Sequence, residues 1–357
     1  MTIGKRAITF EKTEVPSAWL RSLVPVLALV VTFVLTSGLI LWAKANPFEA
    51  YYYFLVAPLA SRLSALEVLV KSTPLILTGS AVAFAFVAGY YNIGAEGQLY
   101  AGAISAAWLG VVLGALPGIV AIPLMLLGGF VTGAAWALVP ALLRVRLAVD
   151  EVVTTLLLNS VMLYIVSALL NGPWRNEGSG WPQSQEIAPS TMLPKLVARS
   201  RFHVGFLIAL LSIVVLWFVL SRTGFGLKMR AVGSGKPAAR FAGVNVGRTT
   251  LIAALVSGGI AGIAGVVEVA GIQFHLIGDL SPGYGYTGIL IAMLGALNPL
   301  GIGAAGLFFG LIDTGTQSVS RALGVPIYLG KITQATMLLV TLAMLLLQRY
   351  RIRIRRA

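Results

Sequence analysis

Cysteine is absent from the 357 residues, which removes disulfides, thiolate metal sites and cysteine nucleophiles. Histidine occurs twice, at His203 and His275, with no ligand-like spacing, so metal-dependent hydrolysis has little to build on. Charge is scarce as well: charged residues make up 11% of the chain, 12 acids against 26 bases. Water-soluble globular proteins of this length are not built from so few. Catalytic signatures are also missing. No G-x-S-x-G occurs, and Gly233-Ser234-Gly235-Lys236 only imitates the end of a P-loop. Arg230 stands where its first glycine belongs, and Pro237 where its Ser or Thr belongs. The chain reads as a non-enzyme with no metal and no cofactor of its own.

What is abundant is apolar: hydrophobic residues are 58% of the chain, and mean hydropathy is +0.90. The apolar runs are about 17 to 25 residues long, which suits helices crossing a core of roughly 30 Å rather than barrel strands of about 10 residues. The expected fold is an all-α integral membrane protein of about ten transmembrane helices with broken segments. The runs lie near 23–42, 66–90, 99–116, 118–143, 151–171, 204–220, 251–270, 286–297, 301–319 and 327–347. The first run exceeds the roughly 7 to 15 apolar residues of a signal peptide, so it reads as a retained helix. The whole of 1–357 reads as one transmembrane domain.

The net charge of +14 raises nucleic acid as a partner, but its distribution argues against that. With the N-terminus inside, 17 of the 26 basic residues fall on the inner side, as the positive-inside rule requires. They occupy a polar N-terminal segment (1–21), Arg144 and Arg146, a loop at 222–250 and a basic tail (349–357). Both termini and the 222–250 loop are therefore expected in the cytoplasm. Membrane lipid, not nucleic acid, accounts for the charge.

Polar residues at membrane depth are candidates for a solute pathway: Asn92, Glu96 and Gln98, then Asn159, then Asp313 with Gln317 one helical turn apart. A carboxylate facing lipid costs about 2.5 to 3.5 kcal/mol, so Glu96 must face protein or water. Two readings stay open for it: a gate element, or a carboxylate that locks a helix N-terminus. Gly94 and Gly97 beside it, and the later Gly283-Tyr284-Gly285-Tyr286-Thr287-Gly288, give each half of the chain a glycine-rich break, a pattern that points to a site near the midplane. Small-residue pairs at helix-packing spacing recur at Gly110 and Gly114, Gly129 and Gly133, Gly258 and Gly262, Gly306 and Gly310.

The 222–250 loop holds six bases and no acid. Pro237 favours a helix start and Gly243 a helix end, so 236–242 reads as a short rod with Ala238, Ala239 and Ala242 as its slim face. Such a rod suits docking into a partner; attraction to anionic lipid is the competing reading.

NIGAEGQ at 92–98, DEVVTTLLLNS at 150–160, TGFGLKMRAVGSGKPAARFAGVNV at 223–246 and GYGYTGILIAMLGALNPLG at 283–301 resemble ABC importer permeases of the branched-chain amino acid, ribose and simple-sugar class. The NIGAEGQ form is similar to the branch that receives nucleosides or related sugars from a lipoprotein binding protein. The resemblance implies a permease in the bacterial inner membrane, paired with a second related permease and with a cytoplasmic ATPase that uses the ATP. It implies that Gly224, Gly226, Arg230, Gly233, Lys236, Pro237, Ala238, Ala239, Arg240 and Gly243 form the coupling segment that meets the ATPase. An ion-coupled secondary transporter, with Glu96, Glu268 and Asp313 as coupling carboxylates, is the rival reading.

Overall fold

The computed structural model describes residues 2, 3, 6–12 and 18–356; Lys5 and residues 13–17 of the expected N-terminal segment lie outside them. In chain order the elements are β1 (Thr2–Ile3), β2 (Arg6–Lys12), α1 (Ala18–Trp42), α2 (Pro47–Leu55), α3 (Arg62–Val87), α4 (Ala95–Val112), α5 (Gly118–Leu147) and α6 (Glu151–Asn171). Then come α7 (Gly205–Arg222), α8 (Gly224–Ser234), α9 (Lys236–Phe241), α10 (Val246–Glu268), α11 (Tyr284–Leu294), α12 (Pro299–Leu323), α13 (Tyr328–Arg349) and β3 (Tyr350–Arg356). By internal contacts the chain forms two compact units, residues 62–311 and residues 1–61 with 312–357.

Residues 62–311 are helical, and all six unbroken helices long and apolar enough to cross a membrane, among the described residues, lie in this unit. Its centre is α3 and α10. The most apolar window of α3 is 89% buried and that of α10 72%, against 22% for α5 and for α6, so α5 and α6 turn their side chains outward. Val153, Leu157 and Tyr164 of α6 and Leu211, Val214 and Phe218 of α7 are exposed, an apolar surface that lipid tails suit. α10 packs on α5, α4 and α3.

Two of the expected glycine pairs meet each other. A Cβ on Gly133 would lie 2.3 Å from the carbonyl oxygen of Gly258, and one on Gly262 2.1 Å from that of Gly129, so α5 and α10 touch backbone to backbone. Gly306 and Gly310 of α12 serve the same purpose against Ile76 and Ser72 of α3. Gly110 and Gly114 differ: they make room for Ile187 and Ala188 of the long 172–204 connection, not for a helix.

Local signals set the ends. Asp150 caps α6 by accepting from the N–H groups of Val152 and Val153 at 2.8 and 3.2 Å, and Asn245 caps α10 through Arg248 N–H at 3.0 Å. Arg144 at the end of α5 pairs with Glu151 at 2.9 Å. The 286–297 run expected as a span contains only the 11-residue α11, roughly 16 Å at 1.5 Å per residue, too short to cross a bilayer alone.

In the other unit the apolar run of α1 is followed by α2, which the sequence pattern did not signal. Together they make a pair bent by 119°, a seventh candidate span if counted as one. The Tyr51 hydroxyl ties the bend, lying 3.1 Å from Thr36 Oγ1 and 3.0 Å from Ser37 Oγ. Ile40, Ala50, Phe54, Val319, Val325 and Leu329 form this unit's core. β2 pairs antiparallel with β1 and with β3, which brings the two ends of the chain together.

Candidate functional site

The break between α3 and α4 carries a buried polar network. Residues 88–94 are not helical, and non-helical backbone at membrane depth persists only where protein satisfies it. Here it does. Gly94 N–H donates to Asn92 Oδ1 at 3.0 Å, and Ile93 N–H to Thr155 Oγ1 at 3.2 Å. Asn159 of α6 straddles the start of α4: its Nδ2 donates to the Ile93 carbonyl at 2.9 Å, and its Oδ1 accepts from Gly97 N–H at 2.8 Å. One amide side chain thus caps the helix from a neighbouring helix.

Asn92 and Gln98 exchange two hydrogen bonds, Asn92 Nδ2 to Gln98 Oε1 at 2.8 Å and Gln98 Nε2 to Asn92 Oδ1 at 3.0 Å. Asn92 Nδ2 also donates to Ser257 Oγ at 2.9 Å, and Ser257 donates to the Ala81 carbonyl at 2.6 Å. The break is therefore fastened to α3 and α10 as well as α6.

The second glycine-rich break joins the same network. Gly285 N–H, in the first turn of α11, donates to Glu96 Oε2 at 2.6 Å, and Asn159 Nδ2 reaches the Tyr286 hydroxyl at 3.2 Å. A Cβ on Gly285 would sit 2.2 Å from the Glu96 nitrogen, so only glycine lets the two N-termini meet. Glu96 also lies in the first turn of α4, where a negative charge is favoured by the helix dipole. Ser281 extends the contact: its Oγ accepts from Tyr284 N–H at 2.8 Å, and its own N–H donates to the Tyr100 hydroxyl at 3.1 Å.

The second candidate region is the pair α8 and α9. Thr223 caps α8 through Gly226 N–H at 3.1 Å. Gly226 allows α8 to fold back on the end of α7, since a Cβ there would be 2.1 Å from the Val219 carbonyl oxygen. Gly233 rests on the end of α3, with a Cβ position 2.2 Å from the Val87 carbonyl oxygen, and Arg230 donates to the Leu220 carbonyl. Pro237 opens α9, and Gly243 follows it with φ of +78°. The slim face needs a correction: Ala239 is only 3% exposed and packs inward, while Ala238 is exposed and Phe241 is 96% exposed. The outward surface is Ala238, Phe241 and Ala242, flanked by Arg240.

Residues 64–347 match the model of a family described as branched-chain amino acid transport system / permease component. The chain belongs to this permease family. The permease is 36% identical to a glucose ABC transporter permease protein of Haloferax volcanii, over 94% of this chain and 90% of the relative. It is 32% identical to a guanosine ABC transporter permease protein of Bacillus subtilis, over 73% and 75%. A nucleoside ABC transporter permease protein of Lactococcus lactis subsp. cremoris is 30% identical over 88% and 89%.

Of the residues singled out in the permease sequence, Asn92, Glu96, Gln98 and Asn159 come together, all buried and all bonded to the break. Asp313 and Gln317 are half-buried on α12 in the other unit. Thr155 and Ser257 belong to the network at the break and were not singled out, and Tyr286 was named only as part of the second glycine-rich break. Thr155 stands one turn before Asn159 on α6, a legible signal; Ser257, inside a run of small residues, offered none. Outside the spans, burial pushes the His203 imidazole down to about 4, so that ring is uncharged at neutral pH, and burial lowers His275 as well against the opposing charge of Glu186. Among the described residues no cluster of three His, Asp or Glu is placed to hold a metal.

Proposed function

We propose that this permease is the membrane-spanning subunit of an ATP-binding-cassette importer, forms half of its translocation pathway, and carries a nucleoside or a simple sugar. The observation that carries the reading is the similarity, over most of both chains, to ABC permease proteins whose names specify glucose, guanosine and nucleosides. The chain performs no chemistry; ATP is bound and hydrolysed by a separate cytoplasmic ATPase.

In this reading residues 1–357 form one permease domain of about ten crossings, with α1, α12 and α13 added to the six evident spans and α11 as a half-span. Both termini and the α8–α9 pair face the cytoplasm, in line with the positive-inside distribution; the pairing of β2 with β3 supports a shared side for the termini. The exposed face of α9, Ala238 with Phe241, docks on the ATPase, and the glycine contacts of α8 with α7 and α3 pass its movement to the spans. Asn92, Glu96, Gln98 and Asn159 hold the broken segment beside the pathway, and Asp313 and Gln317 line it. A second related permease completes the pathway, and a substrate-binding lipoprotein delivers solute from outside the bacterial inner membrane.

Reconstitution with the ATPase tests the reading. Uptake of guanosine or glucose should require ATP and be indifferent to an imposed ion gradient. Uptake that persists without ATP and follows a proton or sodium gradient overturns it in favour of a secondary transporter.

A further inference from the structure

A cavity of about 160 Å³ lies in residues 62–311, lined by Lys71, Arg201, Glu268, Gln273, Asp279 and Tyr284 among others. It is distinct from the network at the break but adjoins it: the Tyr284 carbonyl accepts from Thr78 Oγ1 at 3.0 Å, and the next residue is Gly285, the partner of Glu96. About 24 Å of helix separates Lys71 from Val87 at 1.5 Å per residue, so the cavity sits toward the end of α3 remote from α8 and α9. Asp279 and Arg201 are exposed at its mouth, while Glu268 and Tyr284 are buried. A π-helical turn at Val269–Gln273 interrupts the end of α10 and supplies Gln273 to the lining, a feature frequent at functional sites.

The lining selects a ligand class. Two cationic and two anionic side chains line the cavity, and Arg201 also pairs with Glu67, so the wall holds no excess of positive charge that would favour an anion. A zwitterionic amino acid would also match paired charges; Val70, Ile272, Leu280 and Pro282 border the cavity, but the surface they present to it is small beside that of the polar atoms, which leaves little contact for a branched aliphatic side chain. Neighbouring hydroxyl groups suit it: carboxylates accept from them, and Lys, Arg and Gln donate to them. The volume admits several waters at about 30 Å³ each, hence one monosaccharide ring. We infer that this cavity is a binding station for the sugar moiety of the transported solute, a neutral polyhydroxylated ring that enters from the side opposite α8 and α9. The inference rests on the importer reading above and deepens it.

The absence of cysteine supplies the test. In the reconstituted transporter, with cysteine-free partner subunits, Gln273→Cys is the only thiol, and its rate of labelling by a hydrophilic maleimide is measured with guanosine, glucose or leucine present. The transported sugar or nucleoside, at ten times its Kd, should slow labelling about tenfold while leucine does not. Asp279→Cys, at the exposed mouth, gives the same measurement if the Gln273 variant does not assemble. Asp279→Asn should raise the KM for uptake about tenfold, the loss of one charge-assisted hydrogen bond. An unchanged labelling rate in a variant that still takes up guanosine or glucose overturns the cavity assignment and leaves the importer reading intact. Uptake of leucine, with neither guanosine nor glucose carried, overturns the importer's substrate class and the inference with it.

Discussion

The carboxylate of Glu96 accepts a hydrogen bond from the backbone N–H of Gly285 at 2.6 Å, joining residues 189 apart in sequence. Each belongs to the first turn of a helix that starts after a glycine-rich break, so two helix N-termini converge on one carboxylate. A negative charge placed there is favoured by both helix dipoles and supplies an acceptor to an N–H that has none within its own helix.

Gly285→Ala is therefore expected to destabilise the permease more than an alanine usually does. The added Cβ falls on backbone 2.2 Å away, which a side-chain rotation cannot relieve. A loss of about 1 to 3 kcal/mol is the ordinary scale for overpacking. Thermal unfolding of the detergent-purified protein should show a clear fall in Tm for Gly285→Ala and a smaller one for Glu96→Gln, which keeps an acceptor. A Gly285→Ala variant as stable as wild type would mean that the two N-termini do not meet this closely.

Part of this architecture is legible in the sequence. The spans from α3 to α7 and α10 and the start of α9 at Pro237 follow from hydropathy and helix-end residues, and small-residue spacing marked positions of close packing without saying which helix meets which. The two glycine-rich breaks were legible as matching features of the two halves; that they touch is seen only in the fold. What could not be read was orientation across the fold. Ala238 and Ala239 look alike in sequence, yet one is exposed and the other buried. Nothing local distinguishes Gly110, which accommodates a loop residue, from Gly133, which accommodates a helix. Lys71, Arg201, Gln273 and Asp279 lie on separate elements, so only the fold assembles them into a cavity wall.

Asn92→Ala removes the hub of the break. Gln98 then loses both of its partners on Asn92, Gly94 N–H loses its acceptor, and Ser257 Oγ loses a donor. With buried polar groups unpaired at about 1 to 3 kcal/mol each, a loss of about 3 kcal/mol or more is expected. Gln98→Ala combined with it should add less than Gln98→Ala alone, because the partners are shared. Strict additivity of the two Tm changes would show that the residues do not form one network.

Replacing Ala238 and replacing Ala239 should have different consequences. Ala239→Trp forces a large ring into a position 3% exposed and should lower stability by about 1 to 3 kcal/mol. Ala238→Trp and Phe241→Asp alter only exposed surface, so the permease should fold normally while ATPase co-purification and uptake both fall. Normal co-purification and uptake in these two variants would move the docking surface elsewhere.

Acid should loosen the 172–204 connection through His203. The ring is 2% exposed, packs against Gly205 and Gly271, and accepts at Nδ1 from Gly205 N–H at 3.1 Å. Protonation would cost that hydrogen bond and bury a charge, and burial holds the folded-state pKa at about 4 instead of the usual 6.5. Because the unfolded chain takes up the proton first, the stability contributed is fully present above about pH 6.5 and declines as pH falls toward 4, by about 3 kcal/mol over the window. His203→Gln keeps an acceptor but does not titrate, so it should flatten this limb without abolishing the fold. Tm measured from pH 7.5 down to 4.5 in both proteins decides it: equal slopes would place the acid sensitivity in other groups.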